Sequence, residues 1–284
     1  MRTKYRLPGL SALVIAIGLL LPGPARADEI KVMTSGAFTA AYLELVQQFE
    51  QLTRHTVVTS FGASMGDAPD SVPVRLARGE AVDVVILVAG ALDELIKSGT
   101  IAAASRVELA RSAIGLAVRA GAPRPDIGSV DALRRTLLEA RSIAYSASAS
   151  GVYVSTELFQ RLGIADQVQH KSRRIESERV GTVVARGDAE LGFQQVSELL
   201  PVKGIDYIGP LPADVQRVSI VAAGIATRSK APEGARALIG FLSSSAAVAA
   251  IEKSGLEPLH PGGRRDDRPS GREHRAGEET WRLR

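Results

Sequence analysis

The sequence predicts an α/β protein of two lobes, each a mainly parallel sheet covered by helices, joined by two chain crossings with a ligand cleft between them. Three observations carry this. Short apolar or β-branched runs alternate with helical patterns along most of the 284 residues, the pattern of sheets with helices on both faces. Two of the runs, in segments 112–119 and 215–224, stand where a strand would pass from one sheet to another. The turns after several strands are rich in Ser, Gly and Ala, small enough for a ligand to reach the backbone.

The chain begins with Arg2, Lys4 and Arg6, an apolar run over residues 10–21, and Ala25-Arg26-Ala27 before Asp28. These three parts make a cleavable secretory signal peptide over residues 1–27, since the apolar run falls short of the roughly 20 residues that span a bilayer. The mature protein is expected to be periplasmic, soluble, without a membrane span, and monomeric. At the other end, residues 260–284 carry seven Arg and five acids with almost no aliphatic side chain, too little apolar surface to offset the entropy of ordering them. The tail is expected to be disordered.

Of 35 basic and 31 acidic residues, four basic ones lie in the leader, and seven basic and five acidic ones in the tail. The middle is therefore slightly acidic, and general nucleic-acid binding loses its support. With no cysteine, disulfides, thiolate metal sites and a Cys nucleophile are excluded. His260 and His274 fall in the tail, leaving His55 and His170, so a Ser-His-Asp triad or a His-rich metal site is poorly supplied. No cofactor is implied.

Strands are expected at 30–33, 56–60, 82–87, 114–119, 142–145, 190–194, 206–208 and 218–223. Between the first two, Tyr42, Leu45, Val46, Phe49 and Leu52 recur at helical spacing, one stripe that packs into the core. Leu133, Leu137 and Leu138, and Leu158, Phe159 and Leu162, read the same way. The crossings divide the chain into a first lobe of residues 28–113 and 220–259 and a second of residues 114–219. Clefts between domains are favoured ligand sites, and such hinges permit closure.

Ligands of open α/β sheets bind beyond the carboxyl ends of strands, where helix N-termini also point. Three segments occupy such places: Thr34-Ser35-Gly36-Ala37-Phe38, Phe61-Gly62-Ala63-Ser64-Met65-Gly66 and residues 145–153, which include Ser148, Ser150 and Gly151. Each could be no more than a helix cap. Their repetition at three strand ends points to a cradle for an anion, held by backbone N–H groups and helix dipoles.

Asp67, Asp70 and Asp83 invite a metal reading, but their spacing matches no calcium loop, and no metal site is expected. Arg75 and Arg78 lie three apart in a segment expected to be helical. Arg75 either contacts a ligand carboxylate or pairs with Glu80 or Asp83.

The order of segment 34–38, segment 61–66, Gly79-Glu80-Ala81-Val82-Asp83-Val84-Val85-Ile86, Ser150-Gly151-Val152-Tyr153 and segment 187–194 resembles the periplasmic molybdate-binding proteins, over nearly all of residues 30–259. These are type II periplasmic binding proteins. The resemblance implies a tetrahedral oxyanion held by hydroxyls and amides, delivered to an ABC permease. Carried over by position, the family's contacts fall near Ala37, on Ser64, Ser150 and Val180, and near Gln195. Ala37 stands where the family has serine, Gln195 where it has tyrosine, and Ser150 where it has a small apolar residue. The added polar groups Ser35, Ser150, Gln194, Gln195 and Arg75 suit a di- or tricarboxylate.

The expected ligand contacts are Ser35, Gly36, Ala37, Ser64, Met65, Arg75, Ser150, Gly151, Val180 and Gln195. Ser64-Met65-Gly66 and segments 74–80 and 192–201 also resemble aconitate isomerases, cofactor-free enzymes that interconvert cis- and trans-aconitate. Transport of an anion is the first reading, the isomerase the alternative, and a sensor subunit the third. A proton shift beside a carboxylate needs a base, and without a histidine in the cleft that base is Glu198, Tyr145 or another residue the sequence does not single out.

Overall fold

The structure, a computed structural model, describes residues 27–259. The expected signal peptide, but for its last residue, and the charged tail lie outside the described residues.

From the N-terminal side, β1 (Glu29–Thr34) leads into α1 (Gly36–Thr53) and β2 (Thr56–Phe61), followed by α2 (Val72–Ala77), β3 (Val84–Val88), α3 (Ala89–Lys97) and β4 (Val107–Ser112). The chain then crosses at Ala113 into β5 (Ile114–Arg119), α4 (Val130–Glu139), β6 (Ile143–Ser146) and α5 (Ala149–Tyr153). A π turn, Val154–Leu158, joins α5 to α6 (Phe159–Arg161). Next come α7 (Ala165–Val168), β7 (Ser172–Ile175), α8 (Val180–Arg186), β8 (Leu191–Gln195), α9 (Val196–Leu199) and β9 (Ile205–Pro210). The return runs through β10 (Ser219–Ile225) to α10 (Pro232–Leu242), α11 (Val248–Lys253) and β11 (Glu257–Pro258).

The strands form two sheets, a six-stranded one in the order β11-β4-β10-β3-β1-β2 and a five-stranded one in the order β7-β6-β8-β5-β9. Both are mixed, which corrects the expectation of mainly parallel sheets. β1 pairs in parallel with β2 and β3, and β6 with β7 and β8. β10 is antiparallel to β3 and β4, and β5 to β8 and β9. The antiparallel strands are those that carry the chain between sheets, so they enter against the direction set by the β-α-β units. β4, β7 and β11 were not expected. β7 reads Ser-Arg-Arg-Ile and β11 is two residues long, the short, charged make-up of edge strands rather than an apolar run.

The central strands are buried on both faces, as sheets covered by helices on both sides require. All five residues of β3 are buried: Val84 and Ile86 join Phe38, Tyr42 and Leu45 of α1, while Val85 and Leu87 join Leu92 of α3 and Ile101. In the five-stranded sheet, Leu116, Leu191 and Phe193 pack with Leu133, Leu137 and Leu158. Each such side chain contributes about 1.5–3 kcal/mol by leaving water. Leu52 corrects the α1 stripe, for it is 73% exposed. It sits in the helix's last turn, where the period still fixes its face but no neighbour covers it.

Candidate functional site

Residues of both sheets' connections meet in a cavity of about 240 Å³, a size for a small ligand. Gly36, Thr39, Gly62 and Ala63 line it from the six-stranded side, and the turn 146–148, segment 175–179, Gln194 and Glu198 from the five-stranded side.

Close backbone approaches shape two walls. A Cβ on Gly62 would stand 2.3 Å from the Asp70 carbonyl oxygen, and one on Gly151 would stand 1.6 Å from that of Ser146, so neither turn tolerates a side chain there. Behind the second turn, the Ser146 and Ser150 hydroxyls are buried and 3.0 Å apart.

The 18-residue α1 starts at the cavity. Its first N–H groups have no intrahelical partners, and the helix dipole adds partial positive charge. Ser35 is the N-cap, but its side chain makes no cap bond. Its Oγ is buried and, among the described residues, without a hydrogen-bond partner.

Across from Gly36 stands Glu198, in the first turn of α9. A Cβ on Gly36 would come 1.9 Å from Glu198 Oε1, so only glycine leaves room for the carboxyl group where it lies. Gln194 Nε2 donates to that oxygen at 3.1 Å, and the Gln195 backbone N–H also bonds to the carboxyl. The Gln194 amide cannot turn around without loss, because its Oε1 accepts the Val180 N–H at 2.9 Å. Burial pushes the Glu198 carboxyl up to about 7, against the opposing pull of the Arg179 charge and of the Gln194 and Gln195 hydrogen bonds. Beside it, Ser197 Oγ donates to the Ala37 carbonyl at 2.6 Å, docking α9 on the start of α1.

Arg179 precedes α8 and lines the cavity. Its side chain is exposed and makes no ion pair with the described residues. An unpaired guanidinium beside a helix start gives the cavity both a mobile-charge partner and fixed dipoles for carboxylate oxygens.

The expected contacts divide. Gly36 lines the cavity, with Ser35 and Ala37 beside it in the chain. Ser150 and Gly151 lie under the 146–148 turn, and the Val180 amide is taken by Gln194. Ser64 is buried and its Oγ accepts the Val88 N–H at 3.4 Å. Met65 lines a second opening between the two sheets' connections, about 280 Å³, with Val88, Gly90, Ala149, Val152 and Arg217.

Two residues serve other ends. Arg75 is held in two hydrogen bonds by Glu80, and it donates to the Phe61 carbonyl at 3.1 Å; it braces the 61–63 turn from behind instead of lining the cavity. Gln195 is buried, its Oε1 accepting from Ser112 Oγ at 2.8 Å and its Nε2 donating to Ser219 Oγ at 3.3 Å. It straps together the strands that leave and re-enter the six-stranded sheet. Tyr145, one of the two bases considered, packs edge-on against Phe159 at 6.3 Å and is not a lining residue.

Asp67, Asp70 and Asp83 do not converge, and among the described residues no group of three His, Cys, Asp or Glu gathers in metal-binding geometry. Sequence reasoning missed Arg179. The signal was a further strand-end loop before a helix, hidden because β7 did not read as a strand.

A larger cavity of about 570 Å³ is lined by Glu29, Lys31, Glu80, Arg228 and Lys230 among others. All its lining residues belong to the six-stranded side, so it lacks walls from two lobes.

Residues 30–257 match the family described as bacterial extracellular solute-binding protein. The chain belongs to this family. Among curated relatives, this solute-binding protein is 44% identical over 256 residues to an aconitate isomerase of Pseudomonas sp, covering 89% of this chain and 98% of that one. It is 29% identical over 257 residues to a molybdate-binding protein of Azotobacter vinelandii, covering 87% and 97%. Its fold matches the solved periplasmic molybdate-binding protein of A. vinelandii with TM-score 0.64 at 23% identity, over 80% of this chain and 98% of that one. The sulfate-binding protein of Mycobacterium tuberculosis superposes with TM-score 0.64 at 18% identity, over 82% and 88%. These likenesses show the two-lobed type II periplasmic binding fold.

Proposed function

We propose that this solute-binding protein binds a small polycarboxylate anion in the cleft between its lobes, after export to the periplasm as a monomer. The lobes are residues 28–113 with 220–259, and residues 114–219. One observation carries the reading: the start of a long helix, an arginine without an ion pair among the described residues and a carboxyl group poised near neutrality share one small cavity walled from both sides. Fixed amides suit any oxyanion. The arginine favours planar carboxylates, which it engages through two parallel hydrogen bonds. Delivery to an ABC permease is the transport form of this reading.

A second reading has its own support: the cleft converts the anion it binds, interconverting cis- and trans-aconitate. The 44% identical relative is named an aconitate isomerase, and a carboxyl group that titrates near 7 in the cleft suits proton transfer at neutral pH.

A thermal-shift panel of molybdate, tungstate, sulfate, citrate and both aconitates tests the ligand class. A ligand at a hundred times its Kd adds about 2.7 kcal/mol, hence a Tm rise of about 5–10 °C for a protein this size. Tricarboxylates are expected to give this rise and molybdate none. A rise with molybdate or sulfate alone removes the polycarboxylate reading.

A further inference from the structure

Three kinds of proton carrier line the cleft cavity or border it, and they differ in how they are held. Asp70, Glu176 and Glu178 are exposed at its edge, and Glu178 is tied to Arg186, which holds its carboxyl below the usual range. Tyr145 is turned into the packing against Phe159. Glu198 alone among the lining acids is not fully exposed; it is half-buried, set against Gly36 at the start of α1 and held by Gln194. No His, Cys or Lys lines the cavity.

We propose that Glu198 is the catalytic proton carrier of the isomerase reading, on which this inference rests, and that Gln194 is its positioning residue. The Glu198 carboxylate takes a proton from the methylene carbon next to a carboxylate of the bound tricarboxylate. The C–H bond breaks, an O–H bond forms, and the electron pair spreads over the three-carbon unit and its flanking carboxylate. The protonated Glu198 then returns the proton to the other end of that unit. The O–H bond breaks, a new C–H bond forms, and the double bond has moved with its geometry open to change. One group serves as base and then as acid, so the sum of atoms and charges is unchanged and no cofactor is consumed.

The surroundings fit that double task. The developing negative charge lies toward the α1 N–H groups and Arg179, fixed or cationic donors of the kind that stabilise enolate-like charge. The Val180 N–H locks the Gln194 amide so that its NH₂ faces Glu198, which fixes the carboxyl without supplying a proton acceptor of its own. Burial raises the carboxyl to about 7, so both protonation states are within reach at neutral pH.

The test uses the full mature protein, trans-aconitate in deuterated water, and proton NMR. Wild type is expected to form the cis isomer and to wash deuterium into the migrating position. Glu198→Gln is expected to lose turnover by at least about 100-fold, the range of a lost general base, while its affinity for saturated tricarballylate stays within threefold. Glu198→Asp keeps a displaced carboxyl and is expected to retain more turnover than Glu198→Gln. Gln194→Leu is expected to shift the rising limb of the kcat/KM profile away from about 7, a change that mere loss of stability does not produce. A turning-over wild type with an equally active Glu198→Gln variant overturns the assignment alone. A wild type that binds aconitate without converting it overturns the isomerase reading and the assignment together, and leaves anion binding intact.

Discussion

Arg179 and Glu198 line the same small cavity from the five-stranded side, one cationic and exposed, the other half-buried and with its carboxyl pushed up to about 7 by burial. An anion entering this space gains from the first and from the α1 start, and it raises the pKa of the second still further, because two neighbouring negative charges disfavour each other. Replacing Arg179 with Gln removes a charge-assisted contact worth about 1.5–3 kcal/mol, so calorimetry is expected to show tricarboxylate affinity falling by roughly 10- to 100-fold with Tm of the unliganded protein unchanged. An unaltered Kd takes Arg179 out of the site. Of this pair, the sequence offered Glu198 as one candidate base for the isomerase alternative, and Arg179 not at all. Small residues at strand ends were legible because capping and close approach select them. An arginine near a loop, or a position carried over from a resemblance, does not say which partner the side chain reaches: Arg75 is paired with Glu80, and Gln195 with the crossing strands.

β1, β2, β3, β5, β6, β8, β9 and β10 fall where short apolar or β-branched runs were expected, at the sheet edges as well as inside them. β4, with Glu108 and Arg111, and β7, with Arg173 and Arg174, carry charge and escaped notice. The direction of pairing was illegible for a different reason: it depends on which sheet a strand comes from, a fact of topology rather than composition. One turn shows how a charge fixes elements far apart in sequence. Asp83, buried just before β3, accepts from the Lys31 N–H at 2.8 Å, from Ser229 Oγ at 2.7 Å, and from the Lys230 and Ala231 N–H groups at 2.8 and 3.2 Å. Burial works to raise its carboxyl, but these donors outweigh it and hold the pKa below the ordinary value of 3.8. A depressed carboxylate contributes stability that is present above the unfolded-state pKa and lost as pH falls through the folded one. Asp83→Ala strands several donors between β1 and α10 and is expected to cost about 3 kcal/mol, a Tm drop of roughly 6–12 °C. A drop under 2 °C by calorimetry, as for an exposed acid, contradicts this role.

The two sheets are connected at Ala113 and again over residues 216–218, and the crossings are bound to each other. Gln195 spans Ser112 and Ser219, while Gln216 accepts the Ile114 N–H at 3.0 Å and donates back to the Ile114 carbonyl at 2.9 Å. Away from the crossings α9 packs against the start of α1, where Ser197 donates to the Ala37 carbonyl, and at the rim an Arg174–Asp67 ion pair of 3.9 Å joins exposed side chains, worth under about 1 kcal/mol. Two crossings bound to each other make a hinge of the kind about which lobes close around a ligand. The two-lobed plan was readable from the alternation of strands and helices, and the strand-end segments 34–38, 61–66 and 145–153 were readable as walls of a cleft; which side chains face the cavity was not, since that depends on loops distant in sequence being brought together. A crystal structure of the mature protein with tricarballylate tests the account most directly. It is expected to place the anion between Gly36, the 146–148 turn and Arg179, touching both lobes. An anion seated instead in the outer cavity beside Lys31, Arg228 and Lys230, or a cleft that stays empty at saturating ligand, contradicts it.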